Sequence, residues 1–417
     1  MTVLGIDDTD SRERGMCTTY LAARLARHLR ESGATVERTL LVRLNPAVEH
    51  KTRGNAALAV HTDAAPERVA DLAADALGDA ADGDSRTNPG AVIAPGGPDS
   101  VPDDIVQFAR DAMREIHTIE NAEERATAAG YRTLARGNGR GRIGALAAVG
   151  AWRAFDDWTH ERISYRERER WGTERNVDPE SVFRAAERGY PDVWDTVDTV
   201  ERETVCVPHT PCPVLHGIRG DSSEAVRRVG EQIESEPVAF AHTFLTNQGT
   251  DAHLAAGTFD SLDENRGYRL DGTVTAAPET RRGGHVFFEI EDTPCAAFEP
   301  TKRFRERVRG LRVGDELTVC GEFTDGTLKL EKFAARSLNR TKLTVPTCPD
   351  CGTSMSSAGR NQGYRCRDCS TSADGKVARE VERDLEAGWY EVPPCARRHV
   401  AKPLIRGGFD APTHPER

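Results

Sequence analysis

Two Cys-x-x-Cys pairs, Cys348-Pro-Asp-Cys351 and Cys366-Arg-Asp-Cys369, stand 14 residues apart near the end of the chain. Four thiolates at this spacing suit one tetrahedral Zn²⁺ with no open coordination position, so the site is expected to be structural. The alternative is two unrelated cysteine pairs. Gly352 lets the backbone turn after the first knuckle. Arg360, Tyr364, Arg365 and Arg367 lie on the same loop. They suit RNA backbone contact and base stacking, or they form a solvated face. A zinc ribbon with a basic tail is therefore expected over 341–417. The six other cysteines show no such spacing, and ten in 417 residues do not make a disulfide scaffold.

A chain of this length holds several domains. No run of about 18 apolar residues predicts a membrane span, and the first residues lack the pattern of a signal peptide, so a cytoplasmic protein is expected. The net charge of −11 argues against a nucleic-acid binder at first sight. Only seven of the 56 basic residues are lysine, however. An acidic, lysine-poor background is a solubility adaptation of salt-loving archaea and can mask local basic sites.

Apolar periodicity predicts a buried strand over 2–6, a helix over 17–29, strands over 35–45 and 56–61, a helix over 66–77 and a short strand over 91–94. Alternation of this kind points to α/β or α+β architecture. Residues 156–205 are strongly charged and read as helical segments. His216–Asp221 reads as a glycine-containing turn, 222–235 as a helix and 238–247 as a strand. Five strands then follow, at 268–276, 285–291, 295–298, 316–323 and 327–333, with a short helix between the third and fourth. That is the order of an OB-fold, with another small β-barrel as the alternative.

Three segments carry candidate chemistry. Asp7-Asp8-Thr9-Asp10 closes the first strand; the clustered carboxylates suit Mg²⁺ with a nucleotide phosphate, or a turn that uses Asp for backbone bonding. Thr18 follows at the start of a helix, as N-cap or as phosphoryl acceptor. The stretch Arg125–Phe155 has no acid and contains Arg136-Gly137-Asn138-Gly139-Arg140-Gly141-Arg142-Ile143-Gly144. Glycines there would bring backbone amides close to an anion and arginines would neutralise it, unless the loop is simply flexible and basic. Lys51 and Arg53, and Arg219 between Gly217 and Gly220, are weaker signals of the same kind. Val392–Phe409 is also free of acids and holds Arg397, Arg398, His399, Lys402 and Arg406. It would contact phosphates or dock on the protein.

GIDDTDS with GMCTTY, KTRGNAA (51–57), GNGRGRIGALAA (137–148), HGIRG (216–220) and FLTNQGTDAH (244–253) together resemble the archaeal tRNA(Ile) 2-agmatinylcytidine synthetase family over nearly the whole chain. The resemblance implies an ATP-dependent ligase that joins agmatine to C2 of the wobble cytidine of a minor isoleucine tRNA, so that AUA is read instead of AUG. It implies ATP, Mg²⁺ and structural Zn²⁺ as cofactors, and tRNA and agmatine as partners. The implied fold is a kinase-like α/β domain (1–160), a ferredoxin-like region (161–265) that can be interleaved with it, an OB-fold (266–340) and the zinc ribbon (341–417). Asp7, Asp8 and Asp10 match the family's metal and phosphoryl-transfer carboxylates, and Thr18 its autophosphorylated threonine. Lys51, Arg53, Gly137, Asn138, Gly139, Arg140, Gly141 and Arg219 are the expected nucleotide contacts. Asp251 and His253 are candidates for binding agmatine or accepting its proton. A non-catalytic RNA-binding protein, or a ligase using another amine such as lysine, are the competing readings.

Overall fold

The computed structural model describes residues 1–11, 16–51, 54–81 and 86–417. The first 253 residues build one nine-stranded sheet. Its elements in chain order are β1 (Thr2–Asp7), α1 (Thr18–Glu31), β2 (Val36–Arg43), β3 (Ala56–Thr62), α2 (Pro66–Ala81), β4 (Gly90–Pro95), α3 (Asp103–Asp111), α4 (Ile119–Ala128), β5 (Arg132–Ala135), α5 (Gly141–Ala154), β6 (Thr159–Arg166), α6 (Pro179–Gly189), β7 (Val193–Trp194), β8 (Val214–Gly220), α7 (Ser223–Gly230) and β9 (Val238–Thr246). The strand order is β5-β4-β1-β3-β2-β9-β6-β8-β7. The halves meet where β2 and β9 run parallel, Leu40 beside Leu245 and Leu41 beside Thr246.

β1, β3 and β4 are buried almost throughout, which explains their unbroken apolar runs. One core lies between this sheet and α3, α4 and α5, built from Val3, Val42, Val92, Phe108 and Leu146 among others. A second lies on the other face under α1 and α2, with Leu4, Ile6, Leu21, Leu29, Val69 and Leu77. Both helices follow the spacing expected of a helix that buries one side.

Two elements differ from the sequence reading. Thr159–Arg166 is a strand, not part of a helical region, and His216–Asp221 lies largely within strand β8 rather than in a turn. Both strands carry charge into the sheet, which hides their alternation. Arg166 is 1% exposed and pairs with Glu236 at 2.6 Å. Glu161 is likewise buried and shared between two arginines.

A second sheet follows: β10 (Leu254–Ala256), β11 (Arg266–Thr280), β12 (Val286–Ile290), β13 (Thr293–Ala297), α8 (Phe304–Arg309), β14 (Glu316–Thr324) and β15 (Thr327–Ser337). β11 pairs with β12 and β14, β12 with β13, β13 with β15, and β15 with β14. The five strands thus close into a barrel, with α8 between the third and fourth. Asp325 and Gly326 both have positive φ, as a tight β14–β15 hairpin requires.

Beyond the barrel, short strands at Ser356–Ser357, Tyr364–Arg365 and Ser372–Ala373 carry the cysteine knuckles. The chain then returns. Strand Gly388–Glu391 pairs with β15, and Thr413–His414 pairs beside it. The tail beyond this strand straps the barrel to the large sheet. Arg397 binds Asp195 and Glu391, Arg398 binds Glu322 and Glu331, and Arg406 binds Asp157 and Asp221. Of the two readings of this basic tail, docking on the protein is the one observed, with its arginines paired to carboxylates. No helix among the described residues is long and apolar enough to cross a membrane.

Candidate active site

The site opens at the end of β1. Asp8 takes φ of 55°, a left-handed conformation that aspartate tolerates better than most residues, and this turns its carboxylate onto Arg140 at 2.7 Å. Asp7 is held on the other side by α5. A Cβ on Gly144 would stand 2.0 Å from Asp7 Oδ2, so only glycine lets α5 pack here. Burial, reinforced by the neighbouring Asp8, pushes the Asp7 carboxyl well above its ordinary range. Burial also raises Asp8, to about 6, against the lowering effect of Arg140. Two crowded carboxyls that resist ionisation are what a cation would relieve.

Thr18 is the first residue of α1 and is 4% exposed. The N-cap position belongs to Cys17, whose side chain caps nothing. Thr18 instead donates its hydroxyl to Asp10 Oδ1 at 2.9 Å, and its backbone N–H donates to the same oxygen at 2.5 Å. A hydroxyl held on a carboxylate is the arrangement of a nucleophile beside its base.

These groups line one open cleft of about 150 Å³. Asp7, Asp8, Asp10, Thr18, Lys51, Arg140 and Gly144 lie on its walls. Its other wall joins His50 and Ile143 to Leu44, Val48, Ala112, Glu115, Ile116 and His117, and these last six are not foreseen by the sequence reading. That wall is largely apolar and formed in good part by the α3–α4 connection. Its exposed Ile116, 56% accessible, is the one signal that could have found it.

The glycine loop behaves differently from the expectation. The amides of Asn138, Gly139, Arg140 and Gly141 donate to Asn88 Oδ1, Arg136 O, Asn138 Oδ1 and Asn88 O respectively. The loop therefore offers the cleft the Arg140 guanidinium, not a cradle of free amides. Gly137, Asn138, Gly139 and Gly141 shape the loop behind it; Gly137 has φ of 60° and sits against Asn88. Arg53 lies outside the described residues. Arg219 does not line the cleft.

Asp251 and His253 are brought together elsewhere, in the seam between the large sheet and the barrel. Asp251 receives the Lys332 ammonium and the Lys402 N–H. Burial lowers the His253 imidazole to about 4. The cavity beside them measures about 20 Å³, room for roughly one water and not for agmatine. In the ribbon, the sulfurs of Cys348, Cys351, Cys366 and Cys369 lie within 4.8 Å of one another, which fits a tetrahedral thiolate site.

Three family models match the chain: the TiaS TCKD domain at residues 3–137, the TiaS FLD domain at 139–253 and the TiaS C-terminal zinc ribbon domain at 345–385. The tRNA(Ile) 2-agmatinylcytidine synthetase TiaS of Haloquadratum walsbyi is 54% identical, with both chains covered in full. The chain belongs to the TiaS family of tRNA(Ile) 2-agmatinylcytidine synthetases. The Methanosarcina mazei TiaS is 46% identical, with 97% of each chain covered. Among solved structures, TiaS in a complex with its isoleucine tRNA and ATP superposes with a TM-score of 0.88 at 42% identity, covering 100% of this chain and 99% of that one. TiaS bound to the same tRNA, AMPCPP and agmatine gives 0.85 at 40%, with the same coverage.

Proposed function

We propose that this protein joins agmatine to C2 of the wobble cytidine of a minor isoleucine tRNA at the expense of ATP. The observation that carries the chemistry is the Thr18 hydroxyl on Asp10, buried beside Asp7 and Asp8 on the wall of an open cleft. Family membership and relatives that bind an isoleucine tRNA, ATP and agmatine support the substrates.

The cleft residues divide the work. Asp10 takes the proton of Thr18 as its oxygen attacks the terminal phosphorus of ATP; the new O–P bond replaces the one to the leaving nucleotide. Arg140 and Lys51 offset phosphate charge. Asp7, buried with Asp8 and Asp10 beside it, and Asp8, whose raised carboxyl Arg140 only partly offsets, are the residues that would hold Mg²⁺. The ion would supply charge neutralisation on the phosphates. The apolar wall of Val48, Ile116 and Ile143 suits a nucleobase. A cytosine C2 oxygen is a poor leaving group; it takes a terminal phosphoryl group from ATP as the bond to the leaving nucleotide breaks, and it departs as phosphate when the agmatine amine attacks C2 and gives its proton to a base.

Domain limits follow the same reading: a kinase-like catalytic part over 1–160, a ferredoxin-like part over 161–265, an OB-fold over 266–340 and a zinc ribbon with its tail over 341–417. The helix α5 packs on β1 and β4 and so belongs to the first part, and β2 and β9 pair across the boundary within one sheet. Cysteines without disulfide bonds among the described residues suit the reducing cytoplasm. The test is incorporation of labelled agmatine into minor isoleucine tRNA. It is expected to require ATP and to be absent with labelled lysine; incorporation of lysine instead would overturn the choice of amine.

A further inference from the structure

Arg43, at the end of β2, and Arg219, on β8, share a single carboxylate. Glu161 on β6 is 5% exposed; Arg219 Nε lies 3.4 Å from one of its oxygens and Arg43 Nη2 3.8 Å from the other. Gln248 donates to Glu161 and accepts from Arg43 Nε. Gly217 of the HGIRG segment makes this possible, because a Cβ there would stand 2.9 Å from Glu161 Oε1. The glycine close to Arg219 therefore seats the carboxylate that aims it.

Two guanidinium groups on one buried carboxylate leave positive charge unmatched. Of the remaining acids, Asp10 offsets part of it at Arg43 while also holding Thr18. Asp195, near Arg219, is bound to Arg397. His399 sits beside both arginines, and burial together with their charge keeps it neutral. Arg219 Nε is buried without a hydrogen-bond acceptor. Its terminal nitrogens make no hydrogen bond among the described residues and are the part that solvent reaches, with the side chain 12% exposed. Trp194, directly across from Arg219 on β7, is 4% exposed and its Nε1–H is also unpartnered. Unused N–H donors with excess positive charge match a ligand that only accepts: an anion. The same charge repels the guanidinium of agmatine.

We propose that Arg219 and Arg43 form a second anion site, separate from the nucleotide cleft, that receives a phosphate group during the reaction. Glu161 and Gln248 are its positioning residues. Asp10 and Cys17 lie close enough to Arg43 to influence its charge, so the site adjoins Thr18. The proposal rests on the ligase reading and narrows it. Two phosphates qualify: the one displaced from cytidine, and a phosphodiester of the tRNA next to the wobble nucleotide.

The test uses the full-length protein with AMPCPP filling the cleft. Inorganic phosphate is titrated by calorimetry into wild type, Arg219→Gln, Arg43→Gln and Arg219→Lys, each first checked for an unchanged melting profile. For the displaced phosphate, wild type binds one equivalent and both Gln variants weaken it at least tenfold. For a tRNA phosphodiester, the Gln variants instead lower the salt slope of tRNA affinity by about one. Arg219→Lys keeps the charge and is expected to fall between wild type and Arg219→Gln. A Lys variant as weak as the Gln variant assigns Arg219 to packing and overturns the site. So does a wild type whose phosphate binding and tRNA salt slope both match those of the Gln variants. Agmatine incorporation, measured alongside, tells failure of this site from failure of the ligase reading.

Discussion

Asp10→Asn isolates the proton transfer at Thr18. The carboxylate oxygen Oδ1 accepts both the backbone N–H and the hydroxyl of Thr18, at 2.5 and 2.9 Å. Asparagine can present a carbonyl oxygen to the same two donors, and those donors fix its orientation, since an amide N–H₂ there would face an N–H. The loop geometry should survive. Exchanging charged for neutral hydrogen bonds costs about 1 kcal/mol, and in a chain this large that moves the melting temperature by a few degrees at most. The chemistry should not survive, because an amide cannot take the threonine proton. Loss of a general base lowers the rate by roughly 10²–10⁴-fold. The assay is transfer of label from γ-labelled ATP to Thr18, located by peptide mapping, with the melting curve as the fold control. Thr18→Asn removes the acceptor itself and should give no label at that position. Helix capping does not explain such a loss, since Cys17 holds the N-cap. If Asp10→Asn labels Thr18 within about threefold of wild type, far less than loss of a base would cost, Asp10 is a turn residue and the base lies elsewhere.

Purified protein should carry about one equivalent of zinc, as a four-thiolate site requires, and Cys366→Ser should lose it; a metal-free ribbon that stays folded in chelator refutes the assignment. Excising residues 345–385 should weaken tRNA binding yet leave Thr18 labelling intact, whereas removing 392–417 should unfold or strongly destabilise the protein. Each buried pair that the strap loses costs about 3–5 kcal/mol, as at Arg397 with Asp195 and Glu391. Equal stability of the two truncations, by thermal melting, contradicts the strap. Burial raises Glu391 to about 7. A carboxyl whose folded pKa exceeds its unfolded value binds more protons when folded, so its contribution to stability falls as pH rises from about 4.5 to 7, by about 3 kcal/mol. Glu391→Gln should flatten that fall, and an unchanged pH–stability profile refutes it.

Much of this architecture is visible in the residues themselves. The buried β1, β3 and β4 announce themselves as apolar runs, the barrel strands as alternation, and the cysteines by spacing. β6 and β8 do not, because Glu161, Arg166 and Arg219 place charge inside a sheet against partners distant in sequence, as Glu236 is for Arg166. The tail misleads for the same reason: the acids that pair Arg397, Arg398 and Arg406 lie mostly in distant segments. The Asp cluster and Thr18 are local and so are readable together. The cleft's second wall, at Ala112–His117, carries no distinctive chemistry and comes into view only when α3 packs on α5. The glycine loop stands out in the sequence, but its amides turn inward to Asn88, a residue 50 positions earlier than Asn138.

The most direct measurement is mass spectrometry of the anticodon of minor isoleucine tRNA after incubation with the protein, ATP and agmatine. Conversion of the wobble cytidine alone to 2-agmatinylcytidine, dependent on ATP and abolished by Thr18→Asn, is the expected result. An unmodified wobble cytidine, or the same product formed without ATP, would contradict it.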